Sequence, residues 1–225
     1  MGKYYLETYG CQMNVADSEM IEGILKAKKY SSVDSMDMAD IIFVNTCAIR
    51  EHAEEKVHSR LGVFSRIKHN NPDVIIGVLG CMAQSLKHDI LENRPYVDIV
   101  LGPDSYRKLP ELLNRHKENK KSQVDTQLSR YEVYDDLFPS RKEGVNAWVT
   151  IMRGCDKFCT FCVVPFTRGR EKSREAEEIE QEIRLLVSRG VREIILLGQN
   201  VNAYGKRGLK RPVPFHELLY RIASI

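Results

Sequence analysis

The first half of the chain alternates short apolar segments with amphipathic ones, and this alternation restricts the fold more than any other feature. Largely apolar runs cover residues 41–44, 74–79 and 97–101, and an aromatic, β-prone segment covers residues 4–8. Apolar residues with helical spacing follow each of them. Strands that are apolar at every position and alternate with helices indicate a parallel sheet covered on both faces. We therefore predict an α/β fold, with a doubly wound parallel-sheet domain over residues 1–116.

The rhythm breaks between residues 117 and 145, which are polar and charged and contain Pro and Gly, and we interpret this segment as a linker. A second alternation of strand and helix patterns occupies residues 146–225. Two strands and two helices cannot close a parallel barrel or cover both faces of a sheet. We therefore expect the chain to be a fragment, with only the N-terminal portion of a partial (β/α) barrel.

Charge and composition exclude little. The 225 residues carry 34 Lys and Arg against 31 Asp and Glu, so the net charge of +3 permits a nucleic-acid partner without requiring one. The N-terminus lacks a secretory signal, and no apolar run is long enough to span a membrane, so we expect a cytoplasmic protein with no membrane association. In that compartment the six cysteines favour metal binding or catalysis over disulfides.

Three cysteines, Cys155, Cys159 and Cys162, have the spacing C-x3-C-x2-C after a predicted strand. Three thiolates on one loop can hold three irons of a cubane cluster and leave the fourth iron open, which favours chemistry over a purely structural role. Tetrahedral zinc is an alternative, although the nearest downstream histidine, His216, is distant in the sequence. A redox CxxC pair would leave Cys155 unexplained.

The other three cysteines, Cys11, Cys47 and Cys81, each follow the end of a predicted strand. The carboxyl ends of parallel strands meet at one sheet edge, where neighbouring strands are about 4.8 Å apart. The N-termini of helices face the same edge and favour a bound anion, such as a thiolate-ligated cluster. We therefore predict that the three thiols converge on one metal centre. Buried structural cysteines or a zinc site with an outside ligand are the alternatives.

The motif "GCDKFCTFC" resembles the signature of the radical S-adenosylmethionine (SAM) enzymes, C-x3-C-x-aromatic-C, with Phe161 at the aromatic position. The resemblance implies that Cys155, Cys159 and Cys162 hold a [4Fe–4S] cluster whose open iron binds SAM, with Phe161 near the adenine. It also implies that Gly198, Gln199 and Asn200, in "LLGQNVNAYG", line the SAM pocket. A simple Gly/Asn turn is the alternative for these last three.

The segments "ETYGCQMNVADSE", "NTCAIREHAEEKV", "GVLGCMAQ" and "GCDKFCTFCVVPFTRGRE" together resemble the methylthiotransferases of the radical SAM class, and the MiaB branch in particular. The resemblance implies addition of a methylthio group to C2 of N6-isopentenyladenosine, next to the anticodon of tRNA. It implies a second [4Fe–4S] cluster on Cys11, Cys47 and Cys81, two SAM molecules per reaction, and the tRNA anticodon stem-loop as partner. It further implies an electron donor such as flavodoxin or ferredoxin, and a monomer.

Two kinds of alternative stay open. One is the same chemistry on a ribosomal protein or on threonylcarbamoyladenosine in tRNA, and the other is a non-enzymatic zinc-binding scaffold. Among the polar residues near the cysteines, Asn14, Asn45 and Glu54 could orient a cluster, although turn and cap duties explain the two asparagines equally well. Two basic runs are interpreted mainly as solvated loops, with RNA or SAM contact as the alternative; they are Arg168, Arg170, Lys172 and Arg174, and Lys206, Arg207, Lys210 and Arg211.

Overall fold

The structure, a computed structural model, describes residues 2–48, 51–141 and 144–225, without the side chains at positions 51–55 and 58. The strands are β1 (Lys3–Tyr9), β2 (Ser31–Ser32), β3 (Ile41–Thr46), β4 (Ile75–Gly80), β5 (Ile99–Leu101), β6 (Gln123–Asp125), β7 (Asn146–Thr150), β8 (Met152–Arg153), β9 (Lys172–Ser173) and β10 (Glu193–Leu197). The α-helices are α1 (Gln12–Ala27), α2 (Glu51–Asn70), α3 (Cys81–Leu86), α4 (Asp89–Asn93), α5 (Leu109–Asn119), α6 (Val164–Thr167), α7 (Ala176–Ser188) and α8 (Phe215–Ala223).

The first domain is a parallel sheet with the strand order β2-β1-β3-β4-β5-β6. Successive residues of β3 enter opposite cores: Ile41 and Phe43 pack with α1 and α5, whereas Ile42 and Val44 pack with α2 and α3. Burial on both faces explains why these strands are apolar at every position. The α/β fold with a doubly wound sheet is thereby confirmed.

The strand order reverses between β1 and β3, because the chain continues on one side of β1 to β2 and then returns to its other side. In open α/β sheets the loops at such a reversal diverge and leave a crevice at the carboxyl ends of the strands. Cys11 follows β1 and Cys47 follows β3, so two of the strand-end cysteines flank this crevice.

The segment expected to be a linker, residues 117–145, is in part a structural element of the first domain. Helix α5 extends to Asn119, and β6 pairs with β5 as a sixth strand. An edge strand is held by backbone hydrogen bonds, so its polar side chains gave no strand pattern. Of the three aromatic residues in this segment, Tyr134 is 1% exposed, whereas Tyr131 and Phe138 are 86% and 58% exposed.

The second domain begins with β7, which pairs in parallel with β10 from Asn146 opposite Glu193 to Thr150 opposite Leu197. Helix α7 connects these strands and buries Ile179 and Ile183 against Val149. The short strands β8 and β9 form a separate antiparallel pair, and the loop with the C-x3-C-x2-C motif lies between them. This strand–helix–strand unit has the organisation expected for the start of a (β/α) barrel.

Candidate functional site

The three strand-end cysteines line one cavity. Cys47 and Cys81 directly follow β3 and β4, and Cys11 lies just beyond β1. Together they line a cavity of about 320 Å³ between the two domains. Cys47 and Cys81 are buried, and Cys11 is partly exposed. The structure thus brings the three thiols together at the carboxyl edge of the sheet, where parallel pairing places the strand ends side by side.

Two glycines allow the strands to end this close together. A Cβ atom on Gly80 would lie 2.3 Å from Asn45 Oδ1, and the φ of Gly80 is +93°. A Cβ atom on Gly10 would lie 2.8 Å from the Cβ atom of Cys47, at a φ of +146°. Side chains are excluded at both positions by space and by backbone conformation. The Gly-Cys pairs at the ends of β1 and β4 are therefore a requirement of the cavity.

Two buried asparagines fix the helix that follows Cys11. Asn14 Oδ1 accepts a hydrogen bond from the backbone N–H of Cys11 at 3.3 Å and lies 3.4 Å from Cys11 Sγ. Asn45 Nδ2 donates to the backbone carbonyl of Asn14 and to Ser18 Oγ, both at 2.9 Å. Asn14 therefore caps α1 and holds Cys11 at the same time. The side chain of Glu54 lies outside the described residues.

A cation from the second domain faces these thiols. Arg168 lines the same cavity and is 4% exposed. A hydrogen bond from Cys47, helped by backbone donors and by the charge of Arg168, outweighs burial and lowers the pKa of Cys11 to about 5. Burial raises the pKa of Cys81, and Arg168 opposes this rise. The site therefore favours a bound thiolate at Cys11 and tolerates negative charge near Arg168.

The remaining wall of the cavity comes from two segments of the second domain. Val164 and Thr167 of α6 line it, as do Gly198 and Gln199 at the end of β10. Gln199 Oε1 is buried and makes no hydrogen bond within the described residues. Asn200, the third residue of the predicted SAM pocket, is not part of the lining. Residues that sequence reasoning assigned to two separate sites thus share one cavity.

The C-x3-C-x2-C loop is folded back on the segment that follows it. The backbone N–H of Cys155 donates to the carbonyl of Gly169 at 3.1 Å, and that of Cys162 to the carbonyl of Cys159 at 2.9 Å. Cys155 is buried, Cys159 is exposed and Cys162 is intermediate. The ring of Phe161 is 91% exposed and does not line the cavity. Helix α6, which follows this loop, packs against α3, which begins at Cys81.

The donor set of the cavity fits an iron–sulfur cluster. Within the described residues, no three His, Cys, Asp or Glu side chains meet closely enough to hold one metal ion. A zinc site needs its sulfur ligands about 2.3 Å from a single point. In a cubane cluster each thiolate binds a different iron, so three thiols around a cavity suffice. Cys11, Cys47 and Cys81, next to the cation of Arg168, fit such an anionic group.

Three of the four basic residues after the cysteine loop are not solvated, contrary to our interpretation. Arg168 pairs with Asp17, Lys172 with Asp104 and Arg174 with Glu182, at 2.7–2.8 Å. Arg168, Lys172 and Arg174 are buried, and only Arg170 is exposed. This segment runs through the interior of the protein, so each buried cation needs an acidic partner.

Sequence reasoning also missed Asp17 and Arg153, which form an ion pair at 2.6 Å. Asp17 lies one helical turn from both Met13 and Ile21, on the buried face of α1. A carboxylate on an apolar helix face predicts a buried cation as its partner. That pattern could have identified Asp17, although not the partner.

Two family models match the chain. The model described as Uncharacterized protein family UPF0004 matches residues 3–102, and the model of the Radical SAM superfamily matches residues 149–224.

Within the described residues, no helix is long and apolar enough to cross a membrane.

Several curated relatives are named tRNA-2-methylthio-N(6)-dimethylallyladenosine synthase. The one from Amoebophilus asiaticus is 52% identical over 202 residues, which cover 89% of this chain and 41% of the relative. The one from Bacillus subtilis is 50% identical, and the match covers 91% of this chain and 40% of the relative. The one from Parabacteroides distasonis is 46% identical and covers 99% and 49%. The chain thus spans less than half the length of these relatives.

Two solved structures share the fold at low sequence identity. The radical SAM methyltransferase TsrM from Kitasatospora setae has a TM-score of 0.60 and 14% identity, and the match covers 90% of this chain and 48% of that one. The cobalamin-dependent SAM radical enzyme OxsB has a TM-score of 0.54 and 12% identity, and the match covers 90% of this chain and 34% of that one.

The domain order, the fold and the C-x3-C-x2-C loop define a protein of the radical SAM superfamily. Within that superfamily, the chain belongs to the MiaB-type methylthiotransferase family.

Proposed function

We propose that the protein containing this chain adds a methylthio group to C2 of N6-isopentenyladenosine, next to the anticodon of tRNA. The relatives that match both domains at 46–52% identity support this substrate. The observation that carries the proposal is the cavity between the domains, where the three N-terminal thiols face residues at the end of β10. Sulfur transfer to a substrate carbon needs a sulfur centre next to the radical site, and in this cavity the N-terminal thiols lie next to Gly198 and Gln199, two of the candidate SAM residues.

We infer two [4Fe–4S] clusters, one on Cys155, Cys159 and Cys162 and one on Cys11, Cys47 and Cys81. Two SAM molecules complete the reaction, and Phe161, Gly198, Gln199 and Asn200 are candidates to contact SAM. When bound, these cofactors supply the radical, the sulfur and the methyl group, which side chains cannot supply.

The chain's own residues would hold and orient the cofactors and keep water away from them. Asn14 holds Cys11, and Arg168 provides positive charge beside the thiols that line the cavity. Met13, Val164 and Leu197 line the same cavity with apolar surface. An apolar lining protects a reactive radical from solvent.

An exposed basic cleft of about 720 Å³ supports the RNA partner. It is lined by Arg130, Arg170, Arg207 and Lys210, with Glu171 as the acidic residue in the lining. Tyr131, also in the lining, is 86% exposed and can stack on a base. The sequence showed only the basic run at residues 206–211, without an aromatic neighbour, because Arg130 and Tyr131 come from a distant segment. We propose that this cleft contacts the tRNA backbone.

We further propose that the protein acts as a monomer in the cytoplasm and receives electrons from a flavodoxin or ferredoxin. The same chemistry on threonylcarbamoyladenosine or on a ribosomal protein is the competing proposal. The names of the relatives favour isopentenyladenosine. A non-enzymatic zinc scaffold is the alternative from a different class.

Anaerobic reconstitution with iron and sulfide tests the cofactors. The 225-residue chain should bind about eight irons and turn brown, as two cubane clusters require. About four irons would contradict the second cluster, and a colourless zinc protein would support the scaffold.

Activity of the complete gene product tests the reaction. The triple variant Cys11→Ala, Cys47→Ala and Cys81→Ala should still cleave SAM but form no methylthiolated nucleoside, measured by mass spectrometry of digested tRNA. Equal loss of SAM cleavage would contradict the division of labour between the two cysteine sets. Product on threonylcarbamoyladenosine or a ribosomal protein, and none on isopentenyladenosine, would replace the proposed substrate.

A further inference from the structure

The carboxylate of Asp17 is a buried junction between the two domains. Its Oδ1 accepts a hydrogen bond from Arg153 Nη2 at 2.6 Å, and its Oδ2 accepts one from Arg168 Nη2 at 2.8 Å. Asp17 is 0% exposed, Arg153 is 1% and Arg168 is 4% exposed. Asp17 belongs to the first domain and both arginines belong to the second. One carboxylate thus binds two cations that lie on the other side of the interface.

The two arginines enclose the C-x3-C-x2-C loop in the sequence. Arg153 ends β8, just before Cys155, and Arg168 directly follows α6, just after Cys162. Asp17 lies on α1, the helix whose N-cap is Cys11. The carboxylate therefore ties both ends of the second cysteine loop to the helix that starts at the first cysteine set.

The first domain holds Asp17 and Arg153 from its own side. The hydroxyl of Tyr106 donates to Asp17 Oδ2 at 3.4 Å. The guanidinium of Arg153 lies 5.0 Å from the ring centre of Tyr134, and the hydroxyl of Tyr134 donates to the carbonyl of Pro103 at 2.8 Å. These contacts restrict the positions of both Asp17 and Arg153. The position of the Asp17 carboxylate therefore determines where the start of the cysteine loop lies.

Neither arginine has a second carboxylate at hydrogen-bond distance among the described residues. Arg153 Nε and Nη1 and Arg168 Nη1 are buried and make no hydrogen bond there. Loss of the Asp17 charge would therefore leave two buried cations without a carboxylate partner, which is the costly case for a buried ion pair.

We propose that Asp17 is a positioning residue that clamps both ends of the loop of Cys155, Cys159 and Cys162 onto α1 and so sets the placement of the two cysteine sets relative to each other. The clamp consists of side chains of this chain alone and needs no cofactor. The statement that it sets the distance between two clusters rests on the proposed function.

A second buried ion pair offers a matched control. Asp104 Oδ2 accepts a hydrogen bond from Lys172 Nζ at 2.7 Å, and their side chains are 1% and 2% exposed. This pair also joins the two domains, and Lys172 lies opposite Arg153 in the β8–β9 pair, but the Lys172 ammonium bonds to Asp104 and Ser129 and to neither arginine. Asp17→Asn and Asp104→Asn therefore each remove one buried charge of the interface, and only the first removes the carboxylate that binds Arg153 and Arg168.

Hydrogen–deuterium exchange of the metal-free chain tests the clamp without any cofactor. In Asp17→Asn, the backbone amides of residues 154–169 should exchange at least about tenfold faster than in Asp104→Asn, because only the first variant frees both loop ends. Equal acceleration in the two variants, or wild-type exchange in Asp17→Asn, would overturn the proposal.

Single arginine variants test each end of the loop separately. They also replace Asp17→Asn in the test if that variant does not fold. Arg168→Gln should accelerate exchange mainly at the C-terminal end of the loop, near Gly169, and Arg153→Gln mainly at its N-terminal end, near Cys155. Arg168→Lys keeps the charge and should restore most of the protection. Uniform acceleration along the chain in both glutamine variants would show a general loss of stability and would overturn the clamp.

The reconstituted protein supplies a spectroscopic readout. If both clusters assemble, the magnetic interaction between them in the reduced state should weaken or broaden in Asp17→Asn and stay at the wild-type value in Asp104→Asn, measured by electron paramagnetic resonance. An unchanged interaction in Asp17→Asn would overturn the spacing role. If only one cluster assembles, the two-cluster function fails, while the exchange experiment still decides the clamp.

Discussion

Asp17 Oδ2 lies 2.8 Å from Arg168 Nη2, although the two residues are 151 positions apart in the sequence. This pair is one of several buried ion pairs at the domain interface, together with Asp17–Arg153 and Asp104–Lys172. Buried ion pairs add little net stability, but the removal of one partner is costly because the other charge stays buried. The interface therefore specifies one arrangement of the domains, and the cavity with its thiols depends on that arrangement.

We expect Gly80→Ala to destabilise the chain much more than Gly190→Ala. The two glycines have nearly the same φ, +93° and +91°, but a Cβ atom on Gly80 would lie 2.3 Å from Asn45 Oδ1, whereas Gly190 has nothing within 4 Å. Backbone strain alone should cost about 1 kcal/mol in Gly190→Ala, and the added clash should raise this to at least about 3 kcal/mol in Gly80→Ala. Urea unfolding of the metal-free chain measures the free energy of unfolding of both variants. An equal decrease in the two would contradict steric crowding at the end of β4.

We expect Glu19 to reduce the stability of the chain as the pH rises from 5 to 7. Burial is the main cause that raises the pKa of Glu19 from 4.5 to about 7; Glu22 and Glu182 raise it further, and Arg141 opposes them. Arg141 Nε lies 3.2 Å from Glu19 but makes no hydrogen bond to it, and Arg141 also pairs with Glu182. The folded state therefore holds the Glu19 proton more tightly than the unfolded state, so ionisation favours unfolding in this range.

The variant Glu19→Gln isolates this contribution. Its unfolding free energy relative to the wild type should increase by about 2 kcal/mol between pH 5 and pH 8, because glutamine has no proton to lose. Urea unfolding at a series of pH values measures the difference. A difference that stays constant with pH would show that Glu19 ionises normally in the folded chain.

We expect the basic cleft to contribute phosphate contacts to RNA binding. Lys210→Gln and Arg130→Gln should each lower the slope of the logarithm of affinity against the logarithm of salt concentration by roughly 0.7–0.9. Fluorescence anisotropy with an anticodon stem-loop RNA measures the slope. Arg115→Gln is the matched control, because Arg115 is exposed on α5 and pairs only locally, with Glu111. An equal change in the control would indicate a diffuse charge effect and no specific cleft.

We expect Gln199 to contribute more than Asn200 to SAM binding. Gln199 Oε1 is a buried acceptor without a partner among the described residues, and an unpaired buried group costs about 1–3 kcal/mol until a ligand satisfies it. Gln199→Met keeps the size of the side chain and should weaken SAM binding about tenfold. Asn200→Ala should have little effect, because Asn200 does not line the cavity. Equilibrium dialysis of labelled SAM with the reconstituted chain separates the two, and equal effects would place the SAM site elsewhere.

The strands and the strand-end cysteines could be predicted because their patterns are local. Ile41, Ile42, Phe43 and Val44 are all 0% exposed, as a continuous apolar run in a doubly covered sheet requires. The strand β6 could not be predicted, since a three-residue edge strand depends on backbone pairing with β5. The meeting of Gln199 with Cys11 in one cavity was also hidden, because it depends on how two domains pack.

The sequence by itself determined the α/β pattern and the two sets of three cysteines. These features depend on spacing along the chain, and burial follows spacing within one strand or one turn of helix. Only the tertiary structure decided which charges are buried and which partners they have. Arg168 and Arg170 are two positions apart in one basic run, yet one pairs with Asp17 in the interior and the other with Asp156 at the surface. Electrostatic attraction depends on distance through space and on exclusion of water, and neither can be read from a run of charges.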